Sequence, residues 1–189
     1  MLALALVAAG CSGGDDDEEK PQGLELPEGV TLTDGGTELE PGESATVAYP
    51  EDAADATALT VTVDAVDTGG IADFSLFSLS EEDAASSPRY VRVTVVNEGP
   101  GTPGTASLPI FLHTDDRVLL TPNSIVGSFE PCAPTPLPAD LEAGEQVEQC
   151  LVYLVAPDRQ VESVDLQVTD AASAIRWTLP AEDAPAPEE

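Results

Sequence analysis

Across the middle of the chain apolar residues recur with period two rather than 3.6. In Leu59-Thr60-Val61-Thr62-Val63-Asp64-Ala65 the odd positions are apolar and the even ones polar. Successive side chains of an extended chain point to opposite faces, so this predicts a strand with its odd face, Ala65 included, buried. Tyr90-Val91-Arg92-Val93-Thr94-Val95 repeats the pattern, with the valines inward and Arg92 and Thr94 outward. Val164, Leu166 and Val168 alternate with Ser163, Asp165 and Gln167, and Ile175, Trp177 and Leu179 with Ala174, Arg176 and Thr178. Shorter candidates are Thr46–Tyr49, Ile110–His113 and Arg117–Leu120. Cys150–Val155 is apolar at both parities, which predicts a central strand covered on each side. No amphipathic helix of useful length is present. Turn-formers separate the runs at Gly69-Gly70, Asn97-Glu98-Gly99-Pro100-Gly101 and Ala156-Pro157-Asp158. Seven or eight short strands over residues 37–180 predict one antiparallel sandwich or barrel, with Trp177 in its core.

The ends of the chain read differently. Residues 2–9 form an apolar run too short to span a bilayer as a helix, and Gly10-Cys11-Ser12 follows at once. A short apolar stretch closing on small residues is the pattern of an export signal. Ala8-Ala9-Gly10-Cys11 resembles the bacterial lipobox, in which the Cys thiol is diacylglycerylated before cleavage on its amino side. Ala8 stands where Leu is more usual, and no Lys or Arg precedes the apolar run; a start codon further upstream would account for the latter. The resemblance implies a lipoprotein signal over residues 1–10, a lipid on Cys11 and a membrane anchor made only through that lipid. The alternative is an ordinary signal peptide that happens to leave a Cys. Residues 11–36, with Gly13-Gly14 and the run Asp15-Asp16-Asp17-Glu18-Glu19, are expected to form a disordered acidic tether. The acidic run lacks the alternating ligand spacing and turn glycine of a calcium loop. The Pro- and Glu-rich residues 181–189 are expected to be a second disordered tail.

Composition sharpens the picture. The 189 residues are enough for one domain with tails. With 42% hydrophobic but 4% aromatic residues, the core has to be built from Val, Leu, Ile and Ala. Thirty-six acidic residues face six basic ones, for a formal charge of −30. Such a surface repels phosphate backbones and anionic lipid headgroups, which argues against nucleic acid as a partner and favours solubility as the role of the charge.

With Cys11 assigned to lipid, Cys132 and Cys150 remain, and export would place them in an oxidising compartment where two thiols join. Closing the Pro-rich segment between them would stabilise the fold by about 3 kcal/mol on chain-entropy grounds. The pair is too far apart in sequence for a redox Cys-x-x-Cys motif, and the single His113 leaves too few ligands for structural zinc.

Several segments together resemble a family of actinobacterial lipoproteins with an uncharacterised immunoglobulin-like domain, loosely related to the secreted immunoprotective antigens of mycobacteria. The residues that carry the resemblance are Asp73-Phe74, Pro88 to Gly99, Phe129-Glu130-Pro131-Cys132, Gly144, Cys150 to Leu154 and Ile175-Arg176-Trp177, spanning residues 57–179. It implies an immunoglobulin-like β-sandwich over 37–180, a Cys132–Cys150 bridge and a surface location. It implies no activity and carries over no catalytic or ligand residue.

The residues themselves favour no enzyme. A serine hydrolase needs a base beside its nucleophile; His113 is the one His, lies in an expected strand, and no Gly-x-Ser-x-Gly elbow occurs. Carboxylates are too abundant to single out a glycosidase pair, and aromatics for a sugar cleft are scarce. One Met and one His suit copper poorly, and no glycine-rich phosphate loop opens a helix. No catalytic, cofactor or metal residue is therefore assigned. Two function classes follow. One is a non-enzymatic module that contacts a protein or an envelope component through loops or edge strands. The other is a lipoprotein that binds a small ligand or a cation such as calcium, for instance around Asp115-Asp116.

Overall fold

The structure is a computed structural model that describes residues 24–50 and 56–180. Nine strands occur among them: β1 (Glu38–Leu39), β2 (Ser44–Tyr49), β3 (Thr57–Thr68), β4 (Ser87–Asn97), β5 (Ile110–Thr114), β6 (Leu119–Leu120), β7 (Gln146–Val155), β8 (Val161–Leu166) and β9 (Ile175–Thr178). They form a five-stranded sheet, β1-β9-β8-β5-β6, and a four-stranded sheet, β2-β3-β4-β7. Every pairing is antiparallel except β1 with β9. The helical content is one short helix, α1 (Glu81–Ala85), and two 3-10 turns at Ile71–Phe74 and Glu130–Cys132. The chain is an immunoglobulin-like β-sandwich.

Alternation places the core. On the inner face of the four-stranded sheet Val61 pairs with Val95, Val63 with Val93 and Val66 with Val91. From the other sheet Ile110, Leu112, Val164, Leu166, Ile175 and Trp177 meet them. Burying each such side chain contributes about 1.5–3 kcal/mol, and branched residues lose little rotamer freedom on a strand. The few aromatics of the core do a second job, because their polar tips bond across the layers. Tyr153 Oη of β7 donates to Ile110 O of β5 at 3.0 Å, and Tyr49 Oη of β2 donates to Ser107 O at 2.8 Å. Trp177 Nε1 of β9 donates to Glu43 O, next to β2, at 2.8 Å. Burial pushes the Tyr153 phenol well above its ordinary value. The neutral form therefore supports the fold fully below the unfolded-state value near 10, and that support declines as pH rises beyond it.

Three details depart from the sequence pattern. Asp64 is the extra residue of a bulge: Val63 pairs with Val93, but Ala65 pairs with Arg92. The phase therefore flips, so Ala65 leaves the inner face and Val66 takes its place opposite Val91. The expected central strand Cys150–Val155 is covered on both faces, yet β7 lies at the edge of its sheet. That edge is shielded by loops. Asn123 N–H donates to Val152 O (2.7 Å), Asn123 Oδ1 accepts from Leu154 N–H (3.0 Å), and Gln149 Nε2 donates to Thr135 O (2.9 Å). Pro134 and Pro136 in the covering segment offer no N–H of their own to another strand. Finally, order begins before residue 37. Thr33 N–H donates to Thr46 O while Thr33 Oγ1 accepts from Thr46 N–H, and Gly36 N–H donates to Ser173 O. Hydrogen bonds from Thr33 to β2 and from Gly36 to Ser173 thus dock part of the segment that composition assigned to the tether. Residues 1–23 and 181–189, with Cys11 among them, lie outside the described residues.

If the phenolic tip of Tyr153 joins the sheets, Tyr153→Phe should destabilise the domain by about 1–3 kcal/mol, since the buried Ile110 carbonyl loses its donor. Tyr153→Ala should cost about 3–5 kcal/mol. Urea denaturation measures both; a Phe variant as stable as the parent would show that the hydroxyl contributes nothing.

Candidate functional site

The outer face of the five-stranded sheet gathers its polar residues around one carboxylate. Asp165 of β8 pairs with Arg176 of β9 and Phe111 of β5, while Ser163, two residues earlier, pairs with His113 and Thr178. Neighbouring rows on one face bring these side chains together over Asp165, whose side chain is 1% exposed. Ser163 Oγ donates to Asp165 Oδ1 at 2.5 Å and Arg176 Nε to Oδ2 at 3.2 Å; His113 Nδ1 stands 3.7 Å from Oδ2. A second guanidinium nitrogen, Arg176 Nη2, donates to Ala171 O. Beside the cluster is a shallow concavity of about 530 Å3, lined by Glu38, His113, Gln160, Ser163, Arg176 and Thr178 among others.

Ser, His and Asp are all present, but their geometry is not that of an acyl-transfer triad. There the hydroxyl proton passes to the imidazole, which the carboxylate orients. Here the Ser163 hydroxyl is committed to the carboxylate, and 3.7 Å is too long for a hydrogen bond between imidazole and Asp165. Nothing in the arrangement raises the nucleophilicity of Ser163. What it does supply is compensation: a carboxylate removed from water is matched by one guanidinium and one hydroxyl. Period-two reading assigned Asp165 to the solvent face. Its burial comes from strand partners, which single-strand alternation does not reveal.

The Asp115-Asp116 pair sits in the turn between β5 and β6, where Arg117 has a left-handed φ of 62°. Both carboxylates are engaged. Asp115 Oδ1 accepts from Gln160 N–H at 3.1 Å, and Asp116 accepts from Thr114 Oγ1 at 2.5 Å and Arg159 Nε at 2.9 Å. The Thr114 hydroxyl, with help from Arg159, holds the Asp116 carboxyl below its ordinary value. These bonds clamp the β5–β6 turn to the segment before β8. Among the described residues no group of three or more His, Cys, Asp or Glu is placed to hold a metal ion.

A third assembly lies on the outer face of the four-stranded sheet. Cys132 and Cys150 form a disulfide, with Cα atoms 5.3 Å apart, that ties the Glu130–Cys132 turn to β7. Around it Phe74, Tyr90, Phe129 and Val152 are buried, with Phe77, Ile125 and Leu154 packed against them. Phe129 is the hub: its ring centre lies 4.8 Å from Phe74 and 5.7 Å from both Phe77 and Tyr90. Tyr90 Oη donates to Asp73 Oδ2 at 2.8 Å, and Gly70 N–H donates to the same oxygen at 3.0 Å. Gly69 is required beneath the Tyr90 ring, because a Cβ there would stand 2.4 Å from it. The Tyr90 hydroxyl, then the Gly70 amide, lowers the Asp73 carboxyl below its ordinary value. This contact is therefore complete above the ordinary carboxylate range and is lost as pH falls through the lowered value. On the surface of this lobe stand Leu76, 92% exposed, and Val126, 88% exposed. The sequence held a sign of the lobe: Tyr90, Val152 and Leu154 are apolar at outward positions, and three of the four phenylalanines fall outside any alternating run.

If Asp165 is a buried charge balanced by Arg176, Arg176→Ala should cost about 3–5 kcal/mol by leaving the buried carboxylate without its cation. His113→Ala should change stability by no more than about 0.5 kcal/mol. Urea denaturation of the two variants decides it; equal losses would make His113 an integral partner of the carboxylate.

No protein-family model matches the chain, and no curated protein matches it. Among solved structures it is similar to a secreted protein of Mycobacterium tuberculosis, MPT63, with a TM-score of 0.50 and 12% identity over 75% of this chain and 96% of that one. At that identity the likeness is one of fold, and it agrees with the immunoglobulin-like sandwich that the sequence resemblance implied.

Proposed function

We propose that this chain is a lipid-anchored lipoprotein of the extracytoplasmic membrane face that works as a non-enzymatic interaction module. The observation that carries this reading is the accessory lobe, where a disulfide and four packed rings brace loops that expose Leu76 and Val126 to solvent. The lobe covers the apolar outer side chains of β4 and β7, yet Leu76 and Val126 stay outside its packing, and loops held on a rigid scaffold are where binding surfaces are built. The polar cluster at Asp165, by contrast, satisfies itself and leaves no activated group. The lipobox-like Ala8-Ala9-Gly10-Cys11 supports the anchor, and the disulfide supports an oxidising compartment. The similar mycobacterial protein is itself described as secreted. Among the described residues no helix is long and apolar enough to cross a membrane.

Two substitutions test the reading in cells. Cys11→Ser should move the protein out of the membrane fraction or leave it unprocessed, and Leu76→Ser with Val126→Ser should reproduce whatever defect deletion of the chain causes while leaving Tm unchanged. His113→Ala should have no effect. A Cys11→Ser variant that stays membrane-bound at an unchanged mature mass contradicts the anchor; a His113→Ala variant that mimics the deletion contradicts the absence of catalysis.

A further inference from the structure

We infer that the lobe carrying Leu76 and Val126 docks onto a protein whose surface offers apolar pockets rimmed by Lys and Arg. This rests on the interaction-module reading and adds the chemistry of the partner. Single exposed leucines are ordinary on protein surfaces. Among the described residues the two exposed large apolar side chains, Leu76 and Val126, both arise from the same lobe. Leu76 precedes Phe77 and Val126 follows Ile125, and both of those neighbours pack into the Phe74–Tyr90–Phe129 cluster. The anchors thus project from backbone already fixed by ring contacts, the disulfide and the Tyr90–Asp73–Gly70 bonds. Preorganised anchors lose little conformational freedom on binding, so burying them in pockets yields more net affinity than the same side chains on a loose loop.

The charge around them selects the partner. Residues 71–86 and 121–137, which carry the anchors, contain no Lys or Arg. They do contain Asp73, Glu130 and the acidic first turn of α1, Glu81, Glu82 and Asp83. Arg92, which reaches Pro131 O at the border of the lobe, is already paired with Asp67 at 2.8 Å. Within these two segments every charged side chain is a carboxylate, and apolar anchors set among carboxylates are complementary to pockets bordered by cations. A second copy of this chain brings another −30 charge and the same acidic rim, and an anionic lipid surface repels it likewise. Association should be steered by the opposite charge and should weaken as ionic strength rises.

The test uses the full-length anchored protein in its own cells, with the photocrosslinker p-benzoylphenylalanine at position 76, 126 or, as a control on the opposite sheet, the exposed position 178. The proposal expects one and the same protein adduct from 76 and 126 and none from 178, mapping to a partner segment that contains Lys or Arg. Glu81→Lys with Glu82→Lys should reduce its yield about tenfold, as should raised salt. Three results overturn the proposed chemistry yet leave the module reading intact: an adduct with a second copy, an adduct with lipid alone, or a protein adduct indifferent to the charge reversal. A protein adduct from 178 only moves the interface to the other sheet and overturns this surface. No protein adduct from any of the three positions overturns both readings.

Discussion

Burial on both faces of the β4–β7 pair is the constraint that organises this molecule. Inner positions Val91, Val93, Val95, Tyr153 and Val155 belong to the sandwich core, as in any two-layer β protein. The outer positions Tyr90, Cys150, Val152 and Leu154 are apolar too, and on a two-layer fold they would face water. Their exposure is avoided by two excursions of chain, residues 69–86 and 121–137, which fold over this face and bring Phe74, Phe77 and Phe129 with them. Neither excursion has enough regular structure to hold itself in place. The Cys132–Cys150 bridge supplies what packing and hydrogen bonds alone would have to, by closing the Pro-rich segment onto β7. The second of these segments, residues 121–137, also shields the edge of β7, so it serves both the open face and the open edge.

Charge is the second organising fact. With six basic residues against thirty-six acidic ones, the chain repels itself, and each cation has unusual leverage. The fold spends its arginines on contacts that join separate segments: Arg92 with Asp67 between β4 and β3, Arg176 with Asp165 between β9 and β8, and Arg159 with Asp116 between two turns. The exposed pairs among these contribute little stability singly. The Asp165 pair differs because its carboxylate is out of water. The carboxylates of the chain far outnumber its cations, which leaves the molecule strongly anionic.

The sandwich was legible in the sequence because alternation is a local property. Val61, Val63, Val91, Val93, Val95, Val164, Leu166, Ile175 and Trp177 were all placed inward from parity alone, and all are core residues. What depended on pairing was not legible. The Asp64 bulge moves Ala65 out and Val66 in, and a bulge is defined by the neighbouring strand. The doubly apolar run Cys150–Val155 correctly announced cover on both faces, but cover by loops at an edge and cover by sheet at a centre give the same composition. Asp165 looked like surface because its shielding comes from Arg176, His113 and Phe111 on adjacent strands. The lobe escaped because aromatic clusters built from irregular chain have no period.

Native-state hydrogen exchange on the Cys132→Ala, Cys150→Ala double variant tests most directly whether the bridge holds a separate layer over β7. The account predicts faster exchange for lobe amides such as Phe77 and Asn123 and for β7 amides such as Leu151 and Tyr153, while Val164 and Asp165 of β8 keep their protection relative to global unfolding. Equal acceleration throughout both sheets, or none in the lobe, would contradict it.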